Sequence, residues 1–169
     1  MTYRFLRSTY TPAVFLAGVL VGAAVMAVDA QSSRLTGNHG INHVGIVVDR
    51  LDEAIATYGK AFGFGEAAVL RDEKGQPTLA FIQVSRTTFL ELSPASATRR
   101  AGLDHFGLHV DDIKATVVEL RQRGVKVEDP RVGRTISFIT STTDPVGVRM
   151  EMSEIRDDSM LGKAIAGWK

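Results

Sequence analysis

The chain has 169 residues, with 20 lysines and arginines against 19 aspartates and glutamates and no cysteine. A near-neutral balance, without a basic block or a basic stripe interleaved with aromatics, argues against a nucleic-acid partner. The lack of cysteine excludes disulfides, thiolate metal sites and cysteine nucleophiles, so any metal must be held by histidine and carboxylate.

The first 33 residues, MTYRFLRSTYTPAVFLAGVLVGAAVMAVDAQSS, place Arg4 and Arg7 before an apolar run from Ala13 to Val28 and then small residues around Ala30. That order predicts a secretory signal over residues 1–30, cut between Ala30 and Gln31. The run is short for a bilayer span of about 20 residues. Cleavage makes the domain periplasmic or secreted; an uncleaved membrane anchor is the alternative, and on either reading the working domain begins after about Gln31 and lies outside the cytoplasm.

Beyond Gln31 the length and an ordinary apolar fraction fit one globular domain with a real core. INHVGIVV, Ile41 to Val48, is β-branched and apolar and reads as a strand. Asp49 is placed to cap a helix over 51–62, where Leu51, Ala54, Ile55, Tyr58 and Phe62 recur at helical spacing. Three strand-like segments follow, EAAVL, TLAFIQV and TTFLEL, the first two parted by the turn signal DEKGQP. After SPASATRRAG, a short hinge, the order recurs: strand HFGLHV, cap Asp111, helix IKATVVELRQRG, then VKVED, TISFITST, the turn DPVG and VRMEMS. Arg99 and Arg100 in the hinge read as solvated loop charges, with contact to an anionic substrate as the alternative. The tail, residues 154–169, either packs Met160, Leu161, Ile165 and Trp168 as a helix or frays.

The recurrence is an internal repeat. HVGIVVDRLDEA from His43 aligns with HFGLHVDDIKAT from His105, pairing His43 with His105, Gly45 with Gly107 and Asp49 with Asp111. FLELS aligns with RMEMS and places Glu91 on Glu151. Each module, 41–93 and 103–153, is strand, helix and three strands, and alone would expose a sheet face; together they predict an α+β domain around one cavity. His105 and His109 are four apart on a strand, about 13 Å at roughly 3.3 Å per residue, and cannot share one ion. By the repeat His109 matches Val47, which leaves it a structural role or a weak substrate contact, and His39 matches Ala101 and precedes the strand.

A lone glutamate or histidine on a strand is usually a solvent-facing or structural residue. Here each half supplies one of each at equivalent positions, and pseudo-twofold symmetry would bring the four side chains together. Two neutral imidazoles and two carboxylates suit a divalent ion of hard to borderline character.

NHVGIVV, FLELS, DHFGLHVDDI and DPVGVRMEM together resemble the vicinal oxygen chelate superfamily, which includes glyoxalase I, methylmalonyl-CoA epimerase, extradiol dioxygenases and the fosfomycin and bleomycin resistance proteins. The resemblance spans Ile41 to Ser153. It implies two βαβββ modules in tandem forming a cupped mixed sheet around one divalent metal ion, with His43, Glu91, His105 and Glu151 as its ligands; nickel, cobalt, zinc, manganese and iron are not distinguished. It implies proton transfer on a small molecule chelated through vicinal oxygens, with Glu151 as the first candidate for the base and Glu91 as the second. The His, Glu, His, Glu order resembles bacterial glyoxalase I, whereas the epimerase usually has Gln where this chain has Glu91. An exported member departs from those chiefly cytoplasmic enzymes, which consume glutathione or coenzyme A derivatives. The alternatives are a non-catalytic small-molecule-binding protein and a metal-dependent dioxygenase or hydrolase in which Glu91 stays off the metal. Modules of this family pair within or between chains, so a homodimer is compatible with the sequence.

Overall fold

The computed structural model describes residues 34–169. The predicted signal segment, residues 1–30, lies outside them. Thr36–Lys169 forms one compact unit. Its elements are β1 (Asn38–Val48), α1 (Leu51–Phe62), β2 (Gly65–Arg71), β3 (Pro77–Ser85), β4 (Thr88–Pro94), β5 (Gly102–Val110), α2 (Ile113–Gln122), β6 (Arg131–Val132), β7 (Phe138–Thr143), β8 (Arg149–Glu154) and α3 (Met160–Ala166). Among the described residues no helix is long and apolar enough to cross a membrane.

The strands form one eight-stranded mixed sheet in the order β2-β3-β4-β1-β5-β8-β7-β6. Each half therefore contributes three outer antiparallel strands, β2-β3-β4 or β6-β7-β8, and one strand of the central pair. β1 lies parallel to β4, β5 lies parallel to β8, and β1 and β5 meet antiparallel at the centre. In this structure the two halves thus pair within one chain.

The period-2 pattern divides the sheet into two faces. On one, Leu51 and Ile55 of α1 pack against Ala80, Ile82 and Leu92, each large side chain contributing about 1.5–3 kcal/mol on burial. α2 packs in the same way on β7 and β8, burying Ile113, Thr116 and Val117. On the other face Leu79, Phe81 and Phe89 meet Leu161 of α3. The tail thus folds rather than frays: Ser159 caps α3 by accepting from Gly162 N, and Leu161 is buried, while Trp168 stays largely outside.

Four local expectations need correction. The N-cap of α1 is Arg50, without a side-chain cap bond, rather than Asp49. The N-cap of α2 is Asp112, which accepts from the backbone of Lys114 and Ala115, rather than Asp111. Both helices begin where the spacing places them, at Leu51 and Ile113, but the cap falls one residue after Asp49 and Asp111, and only the second half has an acid there. His39 lies inside β1, which starts at Asn38. VKVED is not a strand. Its residues run beside β7, but the Lys126 and Glu128 carbonyls accept from the hydroxyls of Thr142 and Thr140, and Glu128 N to Ser141 O supplies a backbone bond. Threonine side chains take the place of a ladder, and β6 forms only at Arg131–Val132.

Candidate metal centre

The central register assembles the site. Gly45 of β1 stands between Glu91 on β4 and His105 on β5. Gly107 of β5 stands between His43 on β1 and Glu151 on β8. Each imidazole lies across the glycine of the opposite strand. A Cβ on Gly45 would overlap Cε1 and Nδ1 of His105, and one on Gly107 would overlap Cε1 of His43. The glycines are therefore a steric requirement for the two histidines to enter the same space.

His43, Glu91, His105 and Glu151 each offer one ligand atom to a cluster within 4.8 Å of one another. The two Nε2 atoms are 3.1 Å apart. His43 Nε2 is 3.6 Å from Glu91 Oε2 and 3.7 Å from Glu151 Oε1, and His105 Nε2 is 3.6 Å from Glu91 Oε2. Both histidines are 1% exposed.

The opposite edge of each ring has its own acceptor. His43 Nδ1 is 2.9 Å from Asn42 Oδ1, and His105 Nδ1 is 2.7 Å from Asp104 Oδ2. Arg149 Nη2 is 2.9 Å from that same Asp104 oxygen and 2.6 Å from the His105 nitrogen. A guanidinium can only donate, and Arg149 Nη2 donates to the Asp104 carboxylate oxygen. His105 Nδ1 can donate to Asp104 or accept from Arg149; when both Nδ1 atoms donate to their outer acceptors, both Nε2 lone pairs point at the cluster, as in metal-ligating histidines. Two lone pairs and two carboxylates so close together suit a cation, and the donor set can hold a metal ion.

The electrostatics differ between partners. Burial lowers the pKa of His43 to about 4, helped by His105 and Arg149 against the pull of Glu91. Burial acts the same way on His105, but Glu91 and Asp104 outweigh it and raise its pKa. Glu91 is held below the usual carboxylate range, because His105, His43 and Arg149 overcome its burial. Burial and the neighbouring Glu91 charge push Glu151 up, against His105, Arg149 and a bond donated by Ser153 Oγ at 3.2 Å. Asp104 is well below its ordinary value despite partial burial, through Arg149, His105 and Arg99.

The cluster opens on a cavity of about 460 Å³ whose lining includes His43, Glu91 and Glu151. His109 is not in that lining: its ring lies tilted against that of His39 with centroids 4.9 Å apart, and His39 Nε2 bonds Asp111 Oδ1 at 2.6 Å. Sequence reasoning missed Asn42 and Asp104 as the groups that orient the histidines. Their signal was present, since each immediately precedes the repeated histidine. Arg99, read as a solvated charge, lies 3.2 Å from Asp104 at the cavity wall, whereas Arg100 is exposed and absent from the lining.

Residues 42–140 match the Glyoxalase/Bleomycin resistance protein/Dioxygenase superfamily, and the chain belongs to it. Methylmalonyl-CoA epimerase from Mycobacterium tuberculosis is a structural neighbour at 26% identity and TM-score 0.62, covering 75% of this chain and 95% of that one. A variant of the Streptomyces coelicolor methylmalonyl-CoA epimerase in complex with 2-nitronate-propionyl-CoA is similar at 25% identity and TM-score 0.61, covering 71% and 96%. A hypothetical protein from Bacillus halodurans, 19% identical with TM-score 0.58 over 70% and 96%, shares the fold. A search of curated proteins finds no match.

Proposed function

We propose that this chain is a divalent-metal-dependent isomerase or lyase, acting outside the cytoplasm, that moves a proton at a carbon beside a carbonyl in a small molecule chelated through two vicinal oxygens. The observation that carries this reading is the convergence of two imidazole Nε2 atoms and two carboxylates within 4.8 Å beside a cavity. His43, Glu91, His105 and Glu151 would hold the ion. When bound, it supplies Lewis acidity to an oxygen on which negative charge grows.

The protein's own groups do the rest. Burial of both histidines holds their rings within the sheet. Asn42 and Asp104 fix the ring orientations. The two carboxylates have unequal proton affinities, Glu91 lowered and Glu151 raised, which suits division of labour between an ionised group and one that exchanges a proton. Glu151 is the base on this reading. Ser153 and Arg149 Nη1, 3.5 Å from Glu151 Oε2, steady it. Glu91 is as near His43 as Glu151 is, 3.6 Å against 3.7 Å, so the geometry offers no reason to leave it out as a dioxygenase-like site would. The similarity to epimerases supports the isomerase side of the proposal, and the acidic Glu91 supports the glyoxalase-like side.

Metal content of the purified protein, measured with and without reconstitution, tests the reading beside Glu91→Gln and Glu151→Gln. One divalent ion per chain is expected in the wild type, with weaker retention in both variants. Exchange of the carbon-bound proton for deuterium, followed by NMR on hemithioacetals, α-hydroxycarbonyl compounds and branched acyl thioesters, should require Glu151. A wild type that binds no divalent ion after reconstitution overturns the proposal. Metal binding without exchange on any of these classes turns it toward a binding protein. N-terminal sequencing of the protein recovered from outside the cytoplasm should start at Gln31, whereas Met1 identifies an anchor.

A further inference from the structure

The cavity carries a charge pattern that the metal cluster does not use. Its lining holds four arginines, Arg99, Arg131, Arg134 and Arg149, against three carboxylates, Glu91, Asp104 and Glu151. Two of the arginines are neutralised locally. Arg99 and Arg149 both pair with Asp104, at 3.2 Å and 2.9 Å, and Arg149 also approaches Glu151. The other two are not. Arg134 bonds only neutral atoms, the carbonyl and hydroxyl of Thr78. Arg131 makes no ion pair among the described residues. Two uncompensated positive charges therefore face the same cavity as the quartet.

These two arginines sit on a hairpin that is held in place from three sides. The turn between β6 and β7 closes with Gly133 N to Ser137 O at 2.8 Å and Ile136 N to Gly133 O at 3.0 Å. Its third loop residue, Ile136, has φ 68°, a left-handed position that glycine normally fills and that is strained for a β-branched side chain. Arg134 ties the turn to β3 in the first half of the sheet through Thr78, and Met160 N ties it to α3 through Thr135 O at 3.0 Å. Backbone strain kept by such surrounding contacts points to a local role.

Hydroxyls complete the lining beside the arginines. Ser137 and Ser93 are 1% and 6% exposed and belong to the cavity wall. Arginine forks and hydroxyl donors are the chemistry that recognises carboxylate and phosphate oxygens.

We propose that the substrate carries a second, anionic group, a carboxylate or a phosphate, which Arg131 and Arg134 bind while its vicinal oxygens are presented to the quartet. This deepens the proposed function by naming a substrate class, a small acid bearing an oxygenated carbon centre. It rests on that reading only for the chelated end, because the anion site is made of residues that touch none of the four ligands.

Binding of inorganic phosphate and of succinate to the full chain, followed by titration calorimetry after treatment with a chelator, tests the anion site without the metal. Succinamide serves as the neutral control. At least one anion should bind, more weakly at higher salt, and its affinity should fall at least tenfold in Arg131→Gln and in Arg134→Gln. Arg131→Gln is the decisive variant, since Arg131 supports no contact within the hairpin that would be lost with it; circular dichroism confirms that both variants fold. The tighter of the two anions identifies the group as phosphate or carboxylate. If neither anion binds, if succinamide binds as well as succinate, or if affinity in Arg131→Gln equals that of the wild type, the anion site is wrong. A protein that shows this arginine-dependent binding but takes up no divalent ion retains the anion site and loses the metal reading.

Discussion

The two halves of the sheet place the same ligand types at the same positions but surround them differently. Ahead of the first histidine stands neutral Asn42, and ahead of the second stands Asp104. Two residues before the first glutamate lies Phe89, fully buried against Phe81 and Leu161, while the matching residue of the second half is Arg149, bonded to Asp104. The first half is thus an apolar wall closed by α3, and the second is a polar wall of arginine and hydroxyls. The consequence is visible in the imidazoles, one lowered to a pKa of about 4 and the other raised. Repetition sets where donors go, and the neighbours of each donor set how tightly it holds a proton.

The largest effect should come from breaking what the halves share. Gly107→Ala drives a methyl into the His43 ring, and overpacking of this kind should cost about 3 kcal/mol and abolish divalent-metal binding, read by thermal melting and metal content. Gly45→Ala should do the same through His105. An unchanged melting temperature in both would mean the rings have another place to go.

The next test exploits the opposite shifts of the histidines in chelator-treated protein. Unfolded His43 takes up a proton near pH 6.5 but folded His43 only near 4. Between those values the unfolded state binds more protons, so His43 contributes a loss of stability as pH falls from 6.5 to 4, on the order of 3 kcal/mol. His105, raised in the folded state, contributes stability that is full below 6.5 and is lost as pH rises through its folded value. Urea unfolding at pH 7.5 and pH 5 should show a smaller acid-side loss in His43→Gln and a larger one in His105→Gln.

A smaller effect should separate the two orienting groups. Asp104→Asn removes the outer carboxylate and should lower metal affinity by about 10- to 100-fold, whereas Asn42→Asp should raise it by strengthening the same kind of partner on His43. Competition titration with a chromophoric chelator reads both. Equal responses would show that the outer acceptors do not distinguish the halves. The smallest expected change is a gain: Ile136→Gly relieves the left-handed backbone at φ 68° and should stabilise the fold by about 1 kcal/mol, seen as a higher denaturation midpoint.

Much of this was legible in the sequence because the signals were periodic or repeated. Alternation between Leu90, Glu91 and Leu92 gave the strand and its two faces, and the helical spacing of Leu51, Ile55 and Tyr58 gave α1. Alignment of His43 with His105 and of Glu91 with Glu151 gave the quartet that the structure brings together. Local detail was less legible where one residue decides. Asp49 and Asp111 looked like caps, but the next position carries the cap in each half. VKVED alternates like a strand, yet Thr140 and Thr142 take up its carbonyls, a competition that alternation cannot reveal.

The repeat, the α+β class and the four candidate ligands can be read along the chain, because they depend on residue type and spacing. The folded sheet adds that β1 and β5 pair so that each glycine admits the opposite imidazole, that Asn42 and Asp104 meet the outer ring nitrogens, and that Arg134 bonds Thr78 of β3. Those contacts join residues 56 to 62 positions apart or depend on side-chain direction. Their energies come from which surfaces the folded sheet brings within a few ångströms, which spacing along a chain does not specify.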